Sequence, residues 1–219
     1  VDLTAKTATL EGALILYRPT GLEELHLVYD AKMRGFPPRL PDQPIFYPVT
    51  NEGYARQIAK EWNTTSGTLG GFVTRFAVAD EYAAKFERRV VGAREHEELW
   101  VPAEELAAFN QHIEGTIEVI AAYFGDGFSG HVPAQFGLKG KHAKEQFVAL
   151  AQTLAYSSFD FSCEVAANHV AVFLGFFLWE QCDFSSDGFD GAARDTVLAA
   201  VRKRWATSDR ASIPLGVVS

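Results

Sequence analysis

The chain is poor in sulfur, with two cysteines and one methionine in 219 residues. Cys163 and Cys182 form neither a metal-ligand spacing nor a disulfide framework, and both are expected to be reduced and buried. No histidine stands at a recognisable spacing from either, which argues against a thiol nucleophile. Two common signatures are missing as well: the Gly-x-Ser-x-Gly elbow and the Gly-x-x-x-x-Gly-Lys phosphate loop. Their absence removes the commonest hydrolase and NTPase readings. Positive charge is outweighed, 20 Lys and Arg against 28 Asp and Glu, for a net charge of −8. A nonspecific nucleic-acid binder is therefore disfavoured. The longest apolar run, residues 165–179, contains Asn168 and His169 and is short for a membrane span, so it reads as a buried helix. No signal peptide, internal repeat or low-complexity tract is visible, and the expected location is cytoplasmic. The chain opens at Val1, which leaves a processed or tagged start open.

What is present fits a globular protein with a substantial core: 47% hydrophobic and 22% charged residues, enough chain for one large domain or one domain with a helical extension. Residues 1–13 carry little pattern and read as an arm. Residues 14–17 form an apolar strand ending at Arg18, with Pro19 expected to stop it. Thr20-Gly-Leu-Glu23 has capping-box spacing, and Leu22, Leu25, Tyr29 and Met33 follow at helical intervals. Pro37, Pro38, Pro41 and Pro44 then enforce a stiff irregular loop. That loop offers Arg34, Phe36 and Arg39 as a clamp for an anion and a flat ring, or is a plain connector. Residues 45–49 read as a strand. Asn51 caps a helix in which Tyr54, Ile58 and Trp62 share a face. Further strands are expected at 71–78, 88–91 and 115–122, with a short helix capped by Asp80. The glycine-rich stretch 125–140 is the best boundary. Beyond it the pattern is helical, with Ala143, Phe147, Leu150, Ala151 and Leu154 on one face, a long helix from Cys163 to Cys182 that is apolar nearly all round, and Val197, Val201 and Trp205 on a third. The division is thus 14–124, mixed strand and helix, and 136–207, helical, the two packed together.

The most informative stretch is 94–106, Arg-Glu-His-Glu-Glu-Leu-Trp-Val-Pro-Ala-Glu-Glu-Leu. A strand running into a Pro-started helix puts His96, Glu98 and Trp100 on one face and Glu97, Leu99 and Val101 on the other. A carboxylate beside an aromatic on a strand is held for polar chemistry; the plain alternative is a solvated edge strand.

Three pieces stand in order: Leu14-Ile-Leu-Tyr-Arg18, then Pro44-Ile-Phe-Tyr-Pro-Val-Thr50 feeding a helix, then Glu97-Glu-Leu-Trp-Val-Pro102. Together they resemble the three-part signature of the ADP-ribosyltransferase fold. The Tyr-Arg-Pro, Phe-Pro-Pro-Arg and Glu-Leu-Trp-Val-Pro strings also resemble small bacterial proteins of ADP-ribosylation type. The likeness covers about residues 14–124. It implies an α+β fold, an ADP-ribosyltransferase-like split mixed β-sheet with flanking helices, followed here by the C-terminal helical region. It implies NAD as substrate, with cleavage of the nicotinamide–ribose bond and transfer to an unknown acceptor or to water. By that resemblance Arg18 binds a phosphate or ribose of NAD; Arg39 and Phe36, read from the loop itself, are further candidates to bind it. Tyr47, or else Tyr54, stacks on the nicotinamide. Glu98, or Glu97 if the register shifts by one, stabilises the oxocarbenium-like state. This reading requires Arg18 and Glu98 to open into one hollow sized for a dinucleotide. The chain departs from the pattern at Pro48-Val-Thr50, where Ser-Thr-Ser is usual, at Arg18, where one subtype has His, and at His96, where Glu or Gln is common. A non-catalytic interaction protein, immunity- or antitoxin-like, on the same scaffold is the second expectation. No metal is expected from His96, His112 and Glu98, and His169 reads as a satisfied core histidine.

Overall fold

The computed structural model describes residues 12–92 and 96–218. The arm expected at the start falls mostly on residues 1–11, and Arg94 and Glu95 of the central stretch fall on 93–95; both lie outside the described residues. The elements run β1 (Ala13–Thr20), α1 (Leu22–Asp30), β2 (Ile45–Phe46), α2 (Glu52–Glu61), β3 (Gly70–Ala79), α3 (Asp80–Ala83), β4 (Glu87–Val90) and β5 (Glu97–Pro102). A short 3₁₀ turn, Ala103–Glu105, leads into α4 (Leu106–Gln111) and β6 (Ile113–Phe124). Then come α5 (Ala143–Tyr156), α6 (Ser158–Ala167), α7 (His169–Trp179), a 3₁₀ turn at Ser185–Asp187 and α8 (Gly191–Trp205).

The strands form two antiparallel three-stranded sheets, ordered β1-β3-β6 and β2-β5-β4, so the split architecture carries antiparallel pairing rather than mixed. One narrow seam joins them. Val49 bridges Tyr17 on one side and Glu98 on the other, exchanging both backbone bonds with Tyr17 at 2.8 Å. Past that bridge the sheets part. Pro19 therefore does not end β1. Its ring nitrogen faces the same way as the amide of Tyr17, into the split, where no ladder bond is lost.

Local chemistry explains most of the helix starts. Asn51 caps α2, its side chain accepting from the Tyr54 amide at 2.9 Å. The capping box expected at Thr20 does not form; Gly21 is the cap, and Thr20 Oγ1 has no partner among the described residues. Pro102 ends β5 and precedes the 3₁₀ turn. The helix expected from 163 to 182 is two helices, bent by 101°. The break is Asn168, whose Nδ2 donates to the Glu164 carbonyl at 3.1 Å and to its carboxylate at 2.8 Å, competing with the backbone ladder. No single helix among the described residues is long and apolar enough to cross a membrane, although this bent pair passes by composition.

Both faces of the β1-β3-β6 sheet are covered. Helix α2 lies on one face of β1-β3-β6, where Tyr54, Ala55 and Ala59 meet Val49, Val73, Ile120 and Ala121. The approach is so close that a Cβ on Gly71 would sit 2.0 Å from the Ala59 carbonyl oxygen. The other face carries the main core, which runs without interruption from Leu16 and Phe72 through Phe173 and Phe177 to Trp205 and Ile213. The C-terminal helices thus finish the core of the strand region. Tyr29 of α1 stacks on Phe173 of α7 at 4.5 Å, and its hydroxyl meets Nδ1 of His169 at 2.9 Å. The Trp179 indole donates to the Ala143 carbonyl at 2.7 Å, and the Trp205 indole to that of Ile213 at 2.9 Å. Trp62, expected on the buried face of α2, is 56% exposed. Cys163 is exposed and Cys182 partly so, which corrects the expectation that both are buried.

Candidate functional site

Strand β5 is central to its sheet, and its alternation is strict: Leu99 and Val101 are fully buried, while Glu98 and Trp100 face the other way. In an antiparallel pair, directly opposed residues point to the same side. The register Tyr17–Val49–Glu98 and Phe46–Val101 therefore sorts the seam into two faces. On one lie Tyr17, Tyr47, Val49, Glu98 and Trp100, next to α2. On the other lie Phe46, Leu99 and Val101, and with them Arg18, the neighbour of Tyr17 along β1.

Glu98 is half-buried and held. The Trp100 indole N–H donates to its Oε2 at 3.0 Å, and the Arg89 guanidinium, cross-strand from Glu98, stacks on the Trp100 ring at 3.8 Å. Tyr54, in the first turn of α2, is 7% exposed. The His96 ring covers it, centroids 4.0 Å apart and 13° from parallel. Burial pushes the Tyr54 hydroxyl above the usual phenol range, and the negative charge of Glu98 adds to the rise. Tyr47 is the exposed aromatic of the group, its ring 6.2 Å from that of Trp100.

Arg18 is 8% exposed and already engaged. Its Nε and Nη2 form a fork on Glu24 of α1 at 3.0 and 3.1 Å, Nη1 reaches the Tyr47 carbonyl at 3.4 Å, and its plane lies 5.1 Å over Phe46. Arg39 comes up beside it. Burial lowers the Arg39 pKa first, then the Arg18 charge, against the opposing pull of Glu24, Tyr47 and Asp42. Arg39 Nε is buried with no partner among the described residues. The Arg39 charge thus stands beside an Arg18 whose fork already occupies Glu24, at the edge of the split.

No family model, curated protein or solved structure matches the chain.

The expected residues separate into groups. Glu98 and Tyr54 share one face of the seam with Tyr47, whose ring also lies 5.9 Å from the Arg18 guanidinium carbon, and Arg18 and Arg39 stand at the edge of the split. Phe36 belongs to neither. It is 3% exposed, lies 4.9 Å from Phe46 and 5.0 Å from Phe76, and Asn110 brackets its backbone with two bonds of 2.9 Å. It has no free ring to offer a ligand. Glu97 is a clip: it accepts from Thr50 Oγ1 at 2.9 Å and lies 3.8 Å from Arg88. Among the described residues, no hollow found joins Arg18 to Glu98. One hollow of about 530 Å³ reaches Trp100 and Arg89, another of about 530 Å³ reaches Glu24, and neither contains Arg18 or Glu98. Among the described residues no cluster of three metal-ligating side chains exists. Three partners escaped the sequence: Glu24, which occupies Arg18; Trp100 as a donor to Glu98; and Arg89 behind Trp100. The first had a faint signal, an acid in the first turn of the helix that follows the arginine.

Proposed function

We propose that the protein cleaves the nicotinamide–ribose bond of NAD, in the manner of an ADP-ribosyltransferase, with Glu98 as the catalytic carboxylate. The observation that carries this reading is the setting of Glu98. An acid on a central strand, at the seam of a split sheet, fixed by an indole N–H and flanked by Tyr47 and Tyr54, suits a site where positive charge develops. Tyr47 supplies an exposed ring for the nicotinamide. The hollow shared by Arg18 and Glu98 that the resemblance requires is not among those found, so this reading rests on the face that carries Glu98 and gives Arg18 a different part. With its fork on Glu24 it braces β1, β2 and α1, and the half-buried Arg39 is the better placed cation for a phosphate. Glu98 accepts a hydrogen bond from the ribose 2′-OH and stabilises the oxocarbenium-like state as nicotinamide departs; the acceptor is water or an unidentified group. The test is release of nicotinamide from NAD by the wild type and by Glu98→Gln. Release that falls at least about 100-fold in the variant, with its melting curve unchanged, supports the enzyme.

A second reading has an observation of its own. Arg18 is saturated by Glu24 and faces away from Glu98, as in a scaffold that binds a protein partner and performs no chemistry. Absence of nicotinamide release from wild type over hours, at millimolar NAD, favours that immunity- or antitoxin-like role.

A further inference from the structure

We propose that the protein pairs with a second copy of itself through the outer face of α6, an association independent of any chemistry at Glu98. Helix α6 turns Phe161 and Val165 to the core, 3% and 2% exposed. At about 100° per residue the opposite face carries Phe159, Cys163 and Ala167, spaced i, i+4, i+8. All three are exposed, and Phe159 is 75% so, although a phenyl ring gains by leaving water. At the Ala167 end this stripe opens into a hollow of about 220 Å³, walled by Ala134, Phe136, Val170 and Ala171. An apolar cavity of about 150 Å³ already holds a benzene ring. Phe136 keeps a left-handed backbone there (φ 59°) while it is 61% exposed, a strained conformation of the kind found at ligand clamps. The Gly137 amide beside it donates to the Glu164 carboxylate oxygens at 3.1 and 3.2 Å, which fixes this wall to α6.

The symmetry of the stripe names the occupant. Phe159 is the knob and Ala167 the rim of the hole, and each lies one turn from Cys163, about 6 Å along the axis in opposite directions. A two-fold axis through Cys163 sets α6 antiparallel on α6 of the second copy. It lays each Phe159 on the other copy's Ala167 and into the hollow beside it, and brings the two Cys163 side chains together at the axis. Charge agrees with this register. The same operation sets Asp160 against the other copy's Ala166, and Arg204 stands beside Ala166. Arg204 Nε donates to the Ser162 carbonyl at 3.3 Å and Nη1 to Thr207 Oγ1 at 3.2 Å. Neither Arg204 nor Asp160 has an ion-pair partner among the described residues. The antiparallel pairing supplies each with one, on both sides of the axis. A partner of another kind would need a ring and an acid at this same spacing, and the chain carries both itself.

The experiment uses the full chain. Sedimentation over the micromolar range should show a reversible monomer–dimer equilibrium in wild type. Phe159→Ala should raise the dimer Kd at least about tenfold. Asp160→Arg should raise it as well, and Asp160→Arg combined with Arg204→Asp should recover most of that loss, which a general change of surface charge would not do. A short bismaleimide added to native protein should join two chains in wild type and in Cys182→Ser, and should not do so in Cys163→Ser. Thermal melts confirm that the variants fold. Wild type that stays monomeric throughout the micromolar range overturns the proposal. So does a dimer whose Kd is unchanged in folded Phe159→Ala, or one that the bismaleimide does not link through Cys163.

Discussion

Arg18 separates a structural brace from a ligand-binding residue, and its energetics are measurable without any ligand. The side chains of the Arg18–Glu24 pair are 10% and 21% exposed, and two parallel bonds of 3.0 and 3.1 Å join them. Hydrogen bonds to charged groups contribute roughly 1.5–3 kcal/mol each, and stranding one partner of a fully buried pair costs roughly 3–5 kcal/mol. The residual exposure of Glu24 moves this pair below that range, so Arg18→Ala should cost about 3 kcal/mol. For a chain of this length that lowers Tm by roughly 6–12 °C. Urea unfolding of wild type, Arg18→Ala, Glu24→Ala and the double variant closes a cycle, and the coupling should be about 2 kcal/mol. Removing both partners should cost clearly less than the sum, because no stranded charge remains. A loss below about 1 kcal/mol for Arg18→Ala, with coupling indistinguishable from zero, would refute the brace and return the guanidinium to the ligand.

Further predictions follow from the packing and the titrating groups. Asn51→Ala should cost about 1 kcal/mol, seen as a lower urea midpoint, because α2 loses its one side-chain cap. Gly71→Ala should cost roughly 1–3 kcal/mol or more by the same assay, since the added methyl meets the Ala59 carbonyl and α2 must lift off β3. Burial lowers the pKa of both His131 and His169, with neighbouring His26 and Arg210 acting in the same direction. A histidine that titrates lower when folded leaves stability intact above its unfolded value, about 6.5, and removes stability as pH falls below it. Unfolding free energy should therefore drop between pH 7 and pH 5, and His169→Phe should flatten that slope. Tyr29 is pushed up to about 12, chiefly by burial. Its contribution is intact below pH 10 and is lost as pH rises toward 12, which absorbance near 295 nm should report as a late, unfolding-linked ionisation.

How much of this was legible depended on whether a feature is local. The cap at Asn51, the irregular proline loop and the alternation of Leu99 and Val101 against Glu98 and Trp100 each follow from neighbouring residues, and each appears in the structure. The break at Asn168 did not show, because a segment that is apolar all round carries no periodic phase, and a single amide that turns back on Glu164 is enough to bend it. Pro19 misled for a related reason. Whether a proline ends a strand depends on what its nitrogen faces, and here it faces a gap between sheets.

The relation of Arg18 to Glu98 lies beyond any local pattern. Alternation fixes which residues of one strand agree with each other, but agreement between strands needs the register, and a shift of one residue reverses it. That register is set by Val49, which pairs with Tyr17 and Glu98 at once. The residue of the opening strand that shares a side with Glu98 is therefore Tyr17 rather than the arginine. Burial raises the Tyr17 hydroxyl above the usual phenol range, with the Glu52 charge next in weight, so it is a neutral hydrogen-bond donor at pH 7. If chemistry occurs at Glu98, β1 brings to that side a phenol and not a cation. Tyr17→Phe should then weaken NAD turnover while leaving stability within about 1 kcal/mol, and Arg18→Lys should do the reverse. Equal losses of turnover from both, in proteins that melt alike, would put the arginine back on the side of the acid and undo the register argument.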